Sequence, residues 1–282
     1  MNELNYISGT RQFYDKNAEK EWGRLFSDQY HQVEYYVTLH YLDQYLPATG
    51  NILDAGGGPG RYTIYLANKG HKVTLIDISQ KELNLARIKI SEHDARQNVE
   101  LISQANILDL SLFPNHKFTG TIALGGVLSH FIGKQDREKA IFELSRVTIP
   151  NGFIFISVMN RFGEISNTLL NFPGSADLID QFLLDGNHRR PTTGECTGTH
   201  FYTPNELVDL IQQSGLTLES IVSIQNIASP LRNYVNSLTE EQFQQWLKVF
   251  IRLSQEPSLL GISSHLLVIA RNTKTLPFKQ VI

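Results

Sequence analysis

The chain has a single cysteine, Cys196, among its 282 residues. No intrachain disulfide can form, and thiolate metal clusters are excluded. One thiol suits a reducing compartment, so a cytoplasmic protein is expected. No apolar run reaches the length needed to cross a bilayer. Residues 1–14 are polar and lack the apolar core of a signal peptide. Positive charge is also scarce: 25 Lys and Arg stand against 28 Asp and Glu, a formal net charge of -3. A dedicated nucleic-acid binder usually carries a basic surplus, so that class is disfavoured. Low-complexity tracts and fixed-period repeats are absent. No spacing of histidines and carboxylates resembles a metal site, and none is expected.

What is present is a core: 41% of the residues are hydrophobic, enough for one α/β domain with insertions. Short apolar runs at 52–54, 73–76, 99–102, 121–124, 153–158 and 264–271 read as strands. Helical patterns lie between them. Tyr62, Tyr65 and Leu66 precede Gly70, which sits where a helix ends. Ser79 and Glu82 form a capping-box pattern ahead of Leu83, Ala86 and Ile90. Ile141, Leu144 and Val147 share a face. Thr203-Pro204-Asn205-Glu206 and Thr239-Glu240-Glu241-Gln242 repeat the capping pattern. This alternation predicts a doubly wound, mostly parallel sheet with helices on both faces. Its ligand is expected beyond the carboxyl ends of the strands, where strand order reverses. Residues 1–49 read as an N-terminal helical cap. The core is assigned to 50–159 and 203–282. The segments 160–202 and 229–262 are long enough to be helical lid insertions over a substrate.

The most informative stretch is Asn51-Ile52-Leu53-Asp54-Ala55-Gly56-Gly57-Gly58-Pro59-Gly60. A strand delivers the chain to a glycine turn and a helix follows, which lets backbone approach a ligand closely. A mononucleotide loop would continue as Gly-Lys-Ser/Thr, but Pro59-Gly60-Arg61 does not. A dinucleotide loop would carry a third glycine where Arg61 stands. The ligand left is one with ribose and adenine but no pyrophosphate, S-adenosylmethionine. Asp54 could accept from its ammonium group. Asp77, after the second strand, could accept from its ribose hydroxyls, with Ile78 as an apolar face for adenine.

At this point the sequence closely resembles the class I, Rossmann-like, S-adenosylmethionine-dependent methyltransferases. The glycine loop matches their first motif and Asp77 their ribose acid. The resemblance implies a seven-stranded sheet with an antiparallel last strand. It also implies cofactor contacts from Gly56, Gly57, Gly58 and Gly60, and from Asn106 and Ile107 after the third strand. Asn106 stands where relatives carry an acid, and its carbonyl can still accept from adenine. Leu124-Gly125-Gly126 resembles the loop beside the methionine moiety, which assigns Gly125. Phe13-Tyr14-Asp15 with Arg24 resembles the entry helix, so Arg24, assisted by Tyr14, is expected to hold the cofactor carboxylate.

Methyl transfer needs alignment and exclusion of water, and a base only where the acceptor keeps its proton. His130 is the candidate base and His200 a candidate lid residue at the substrate. His188-Arg189-Arg190 could hold an anion, and Glu195 and Arg161 are weaker candidates. The leading expectation is O- or N-methylation of a small molecule by a monomer or homodimer. Two alternatives stand beside it. One is a tRNA methyltransferase acting on carboxylated wobble uridines, to which Asn160-Arg161-Phe162-Gly163 is similar. The other is a non-catalytic protein that binds S-adenosylmethionine.

Overall fold

The computed structural model describes residues 3–189 and 198–273. Two helices come first, α1 (Glu3–Arg24) and α2 (Gln29–Tyr45). Strands and helices then alternate: β1 (Asn51–Ala55), α3 (Arg61–Asn68), β2 (Lys72–Asp77), α4 (Gln80–Glu92), β3 (Val99–Gln104), β4 (Phe118–Ala123), α5 (Lys134–Val147) and β5 (Thr148–Met159). The first insertion holds α6 (Arg161–Asn171), α7 (Ile179–Asp185) and a hairpin of β6 (Asn187–Arg189) with β7 (Gly198–His200). After it come α8 (Pro204–Gln213), β8 (Thr217–Ser223), α9 (Arg232–Val235), α10 (Glu240–Leu253) and β9 (His265–Arg271).

The seven-stranded sheet has the order β3-β2-β1-β4-β5-β9-β8. The five strands from β3 to β5 are parallel, and β9 runs antiparallel between β5 and β8. Parallel strands covered on both faces need apolar side chains on both. Ile52 therefore packs with α2, α3 and α4 on one face, while Leu53 packs with α5 and α8 on the other. In β9, Leu267 and Ile269 join the first layer, and Leu266, Val268 and Ala270 the second. Strand order reverses between β1 and β4. The loops leaving these strands diverge there and open a crevice at their carboxyl ends.

Strand β8 is the element that the apolar pattern does not reveal. Glu219 and Ser220 interrupt its alternation, and its register against β9 shifts between Leu218 and Ser220. Segment 229–262, expected as a lid, lies against α2 instead. Phe243 and Phe250 of α10 are buried in one layer with Val33, Val37 and Leu42. The capping boxes also differ from their pattern. Only the one at Thr239 closes in both directions. Ser79 and Thr203 cap α4 and α8, but the carboxyls of Glu82 and Glu206 turn elsewhere.

Asn160 fastens the two insertions together. Its side-chain amide donates to the carbonyls of Ser263 at 2.7 Å, Leu260 at 2.8 Å and Gly261 at 3.3 Å. The Asn160 N–H donates to the Ser264 carbonyl at 2.9 Å. Arg161, next in the chain, is bound to Glu206 at 2.6 Å and donates to the carbonyls of Phe201 and Leu183. Replacing Asn160 by Ala leaves carbonyls unsatisfied at a buried site, each costing about 1–3 kcal/mol. Thermal melts of N160A should show a clearly lower midpoint. A midpoint equal to the parent's would mean that these bonds do not hold the insertions.

Candidate functional site

A cavity of about 1060 Å³, its open mouth included, fills the crevice beyond β1, β2 and β4, beneath α1. The loop after β1 forms its floor. Gly56 adopts φ +75°, a backbone conformation that side chains disfavour. Gly57 is held by a close approach: a Cβ there would run into the Asp54 carboxyl and Leu75. The N–H groups of Gly56 and Gly57 donate to the Ile76 carbonyl, which locks the turn to β2.

Three carboxyls surround this floor. Asp54, 1% exposed, accepts from the Thr63 hydroxyl at 2.6 Å through Oδ2, while Oδ1 has no partner. Burial, with a contribution from Asp77, pushes its pKa up to about 7. Asp77 accepts the Gly58 N–H at 3.0 Å and the Ser79 N–H at 2.8 Å. Burial raises it to about 6. Glu82 lines the same cavity with both oxygens unpartnered, and burial followed by Asp77 raises it to about 9.

The roof is α1, tied down at several points. Asp15 accepts from the Ser79 hydroxyl at 2.7 Å. The Arg61 guanidinium sits 3.4 Å over the Trp22 ring and donates to the Trp22 carbonyl. Arg24 reaches into the cavity while both of its terminal nitrogens donate to Glu34, at 2.9 and 3.2 Å. Tyr14 Oη lies 2.8 Å from His130 Nε2. His130 Nδ1 is buried without a partner, and burial lowers the imidazole to about 4, so it is neutral at physiological pH.

Tyr14, Arg24, Asp54, Gly56, Gly57, Gly58, Asp77, Ile78, Asn106, Ile107, Gly125 and His130 all line this one cavity. Asn106 Oδ1 also accepts the Leu108 N–H, which turns the chain after β3. Gly60 is not in the lining. It precedes α3 at φ +89° and packs toward Ala86 and Ile90 of α4. His200 is not in it either. The β6–β7 hairpin carries this histidine to Asn187 at 2.8 Å and Glu206 at 2.6 Å, a buried polar junction that holds the insertion. Arg161 belongs to that junction. The side chains of His188, Arg189 and Arg190, and Glu195, lie outside the described residues. Sequence reasoning missed Glu21 and Glu82 in the lining and Glu34 behind Arg24. Glu82 was hidden inside a capping pattern, and Glu34 inside an apolar helix face.

The raised carboxyls set a pH dependence. Unfolded Asp titrates near 4, but Asp54 in the folded chain titrates at about 7. The stability this contributes is full below pH 4 and is lost as pH rises to about 7. D54N keeps an acceptor for Thr63 and no longer titrates. Urea unfolding of the ligand-free protein at pH 5 and pH 8 should show the parent losing more stability than D54N. Equal losses would mean that Asp54 is not strained by its burial.

Residues 52–152 match the model of a methyltransferase domain family. The ubiquinone biosynthesis O-methyltransferase of Thiobacillus denitrificans is 27% identical over 189 residues, 67% of this chain and 74% of that one. A putative methyltransferase of Bacillus subtilis is 30% identical over 122 residues, 43% of this chain and 47% of that one. Among solved structures, a SAM-dependent methyltransferase of Methanosarcina mazei shares the fold with a TM-score of 0.57 at 20% identity, covering 82% of this chain and 96% of that one. The 1,6-didemethyltoxoflavin-N1-methyltransferase of Burkholderia thailandensis does so with a TM-score of 0.59 at 15% identity, covering 97% and 92%. The matched segment spans β1 to the turn in β5, the part of the chain that builds the glycine floor and its acids, and this part is a methyltransferase domain similar to those of S-adenosylmethionine-dependent methyltransferases.

Proposed function

We propose that this methyltransferase methylates an oxygen or nitrogen of a small, uncharged molecule, with His130 receiving the acceptor's proton. The observation that carries this reading is the Tyr14–His130 pair in the cavity wall. A buried imidazole is kept neutral there, with one nitrogen bonded to a phenol and the other without a partner.

The cavity suits S-adenosylmethionine in several ways. Gly56, Gly57 and Gly58 line the cavity partly exposed, so its floor there is backbone. Asp54 and Asp77 present acceptors to an ammonium group and a ribose. Arg24 keeps N–H groups beyond those given to Glu34 and can hold a carboxylate. Ile78 and Ile107 offer apolar faces to adenine, Asn106 an acceptor, and Gly125 backbone beside the methionine moiety. When bound, S-adenosylmethionine supplies a methyl carbon on a positively charged sulfur; the acceptor's lone pair bonds to that carbon as the carbon–sulfur bond breaks, and a neutral thioether leaves.

The chain's residues then have three tasks. α1 roofs the cavity and limits water. Ile7, Thr10 and Tyr14, at helical spacing on α1, shape one side of the acceptor space, and Phe131 also lines it. His130, neutral and in the lining of the same cavity, takes the proton released from the acceptor heteroatom. Arg24 is held by Glu34 and Arg61 by Trp22. These are the cavity-lining cations among the described residues; the cofactor carboxylate takes the remaining N–H groups of Arg24 in this reading, and Arg61 is stacked on Trp22, so neither is placed for an anionic acceptor. That favours a neutral small molecule over RNA, as does the use of Asn160 and Arg161 in holding the insertions. The names of the relatives agree, since one describes an O-methyltransferase of ubiquinone biosynthesis and another a 1,6-didemethyltoxoflavin-N1-methyltransferase.

Calorimetry should show S-adenosylmethionine binding to the parent, weakened roughly 10- to 100-fold in D77A, since a hydrogen bond to a charged group is worth about 1.5–3 kcal/mol. Label transfer from S-adenosylmethionine should be screened over small phenols and amines, with bulk tRNA alongside. H130A should bind cofactor like the parent and lose about 10²–10⁴-fold in turnover. Because His130 stays neutral down to about pH 4, the parent's rate should not fall on its account between pH 8 and pH 5. No heat with the cofactor, label transfer to tRNA alone, or full activity in H130A would overturn the reading.

A further inference from the structure

Glu82 is a carboxyl that the fold buries without giving it a partner. It is 1% exposed, lines the cavity, and neither oxygen accepts or donates a hydrogen bond. At the third position of α4, a glutamate ordinarily reaches back to the N–H of the capping residue. That N–H belongs to Ser79, and Asp77 Oδ1 already takes it at 2.8 Å. Glu82 is thereby displaced from its capping role and turned inward. Its Oε2 lies 3.6 Å from the point where a side chain on Gly58 would begin. Asp77 Oδ2, on the same glycine, is engaged by the Gly58 N–H. Both Asp77 oxygens thus serve backbone N–H groups, while both Glu82 oxygens are left without a partner in the cavity wall.

We propose that Glu82 is a cofactor-binding residue whose carboxyl takes a ribose hydroxyl of S-adenosylmethionine, sharing the sugar with Asp77. This rests on the reading of the cavity as the cofactor site. A ribose carries adjacent hydroxyls that each donate and accept. A carboxyl that keeps its proton offers one donor and one acceptor to match. Its neighbours favour that state: Asp77 faces it from β2, and Asp15, Glu19 and Glu21 from α1. A buried carboxyl left without partners costs stability, and a ligand hydroxyl offsets that cost.

The test exploits opposite signs. If Glu82 serves the ligand, E82M should melt no lower than the parent when ligand-free, because an unpaired polar group has gone. Its affinity for S-adenosylhomocysteine should nevertheless fall about tenfold. E82Q keeps a donor and an acceptor and should bind within about threefold of the parent. The 2′-deoxy and 3′-deoxy analogues of S-adenosylhomocysteine locate the contact. One of them should bind the parent more weakly than the full ligand, yet bind E82M no worse than the full ligand does. A lower ligand-free melting point in E82M would assign Glu82 to the fold and overturn the proposal. So would parental affinity in E82M, or equal losses for every analogue. A parent that binds no S-adenosylhomocysteine would instead defeat the cofactor reading itself.

Discussion

The ion pair between Arg24 and the buried Glu34 holds the roof on this molecule. Glu34 is 2% exposed within α2, and Arg24 ends α1. Burial alone would raise the Glu34 carboxyl, but the Arg24 guanidinium beside it holds it down to about 2. Breaking such a pair by removing one partner is strongly destabilising, because the other is left as a buried charge. The pair reaches further than two helices. Gln225 Nε2 lies 3.4 Å from Glu34 and contacts His265 at the start of β9. One carboxylate therefore connects the cap, the far side of the sheet and the Arg24 guanidinium, which reaches the cavity near Gly125.

Beneath that roof, the cavity floor departs from ordinary packing. Interiors normally satisfy their polar groups. Here Asp54 Oδ1, both Glu82 oxygens and His130 Nδ1 are buried without partners, and all four belong to residues lining one cavity. Burial shifts each group toward its neutral form, Asp54 and Glu82 by keeping a proton and His130 by losing one. Such a surface is costly when dry and suits a ligand rich in hydroxyl and amino groups. The carboxyls gather at the ribose and amino-acid part of the reading. The imidazole lies in the same cavity wall, bonded to Tyr14.

Much of this arrangement was legible from the chain. The glycine loop, Asp77 and the apolar runs follow local rules: strand, tight turn and helix start are set within a few residues. Long-range use of a side chain was not legible. Glu82 and Glu206 both read as the closing glutamates of capping boxes. In the folded chain, Asp77 takes the N–H that Glu82 would have used, and His200 with Arg161 draws Glu206 away. His200 read as a lid residue because it ends a long insertion, but the β6–β7 hairpin buries it in a structural junction. Gly60 belongs to the motif by sequence and to helix packing by position. β8 was hidden because a bulge with two polar residues breaks its alternation.

By itself, then, the sequence determined the α/β order, the glycine floor with its two aspartates, and the class of cofactor that such a floor admits. These depend on backbone conformation and on neighbours close in the chain. Only the tertiary structure decided which charges are spent and which stay open. Arg24 meets Glu34 across the connection from α1 to α2, Arg61 stacks on Trp22, Tyr14 meets His130 from 116 residues away, and Glu82 is left without a partner. Those outcomes depend on distance and burial between elements remote in sequence, which local patterns of residue type do not encode.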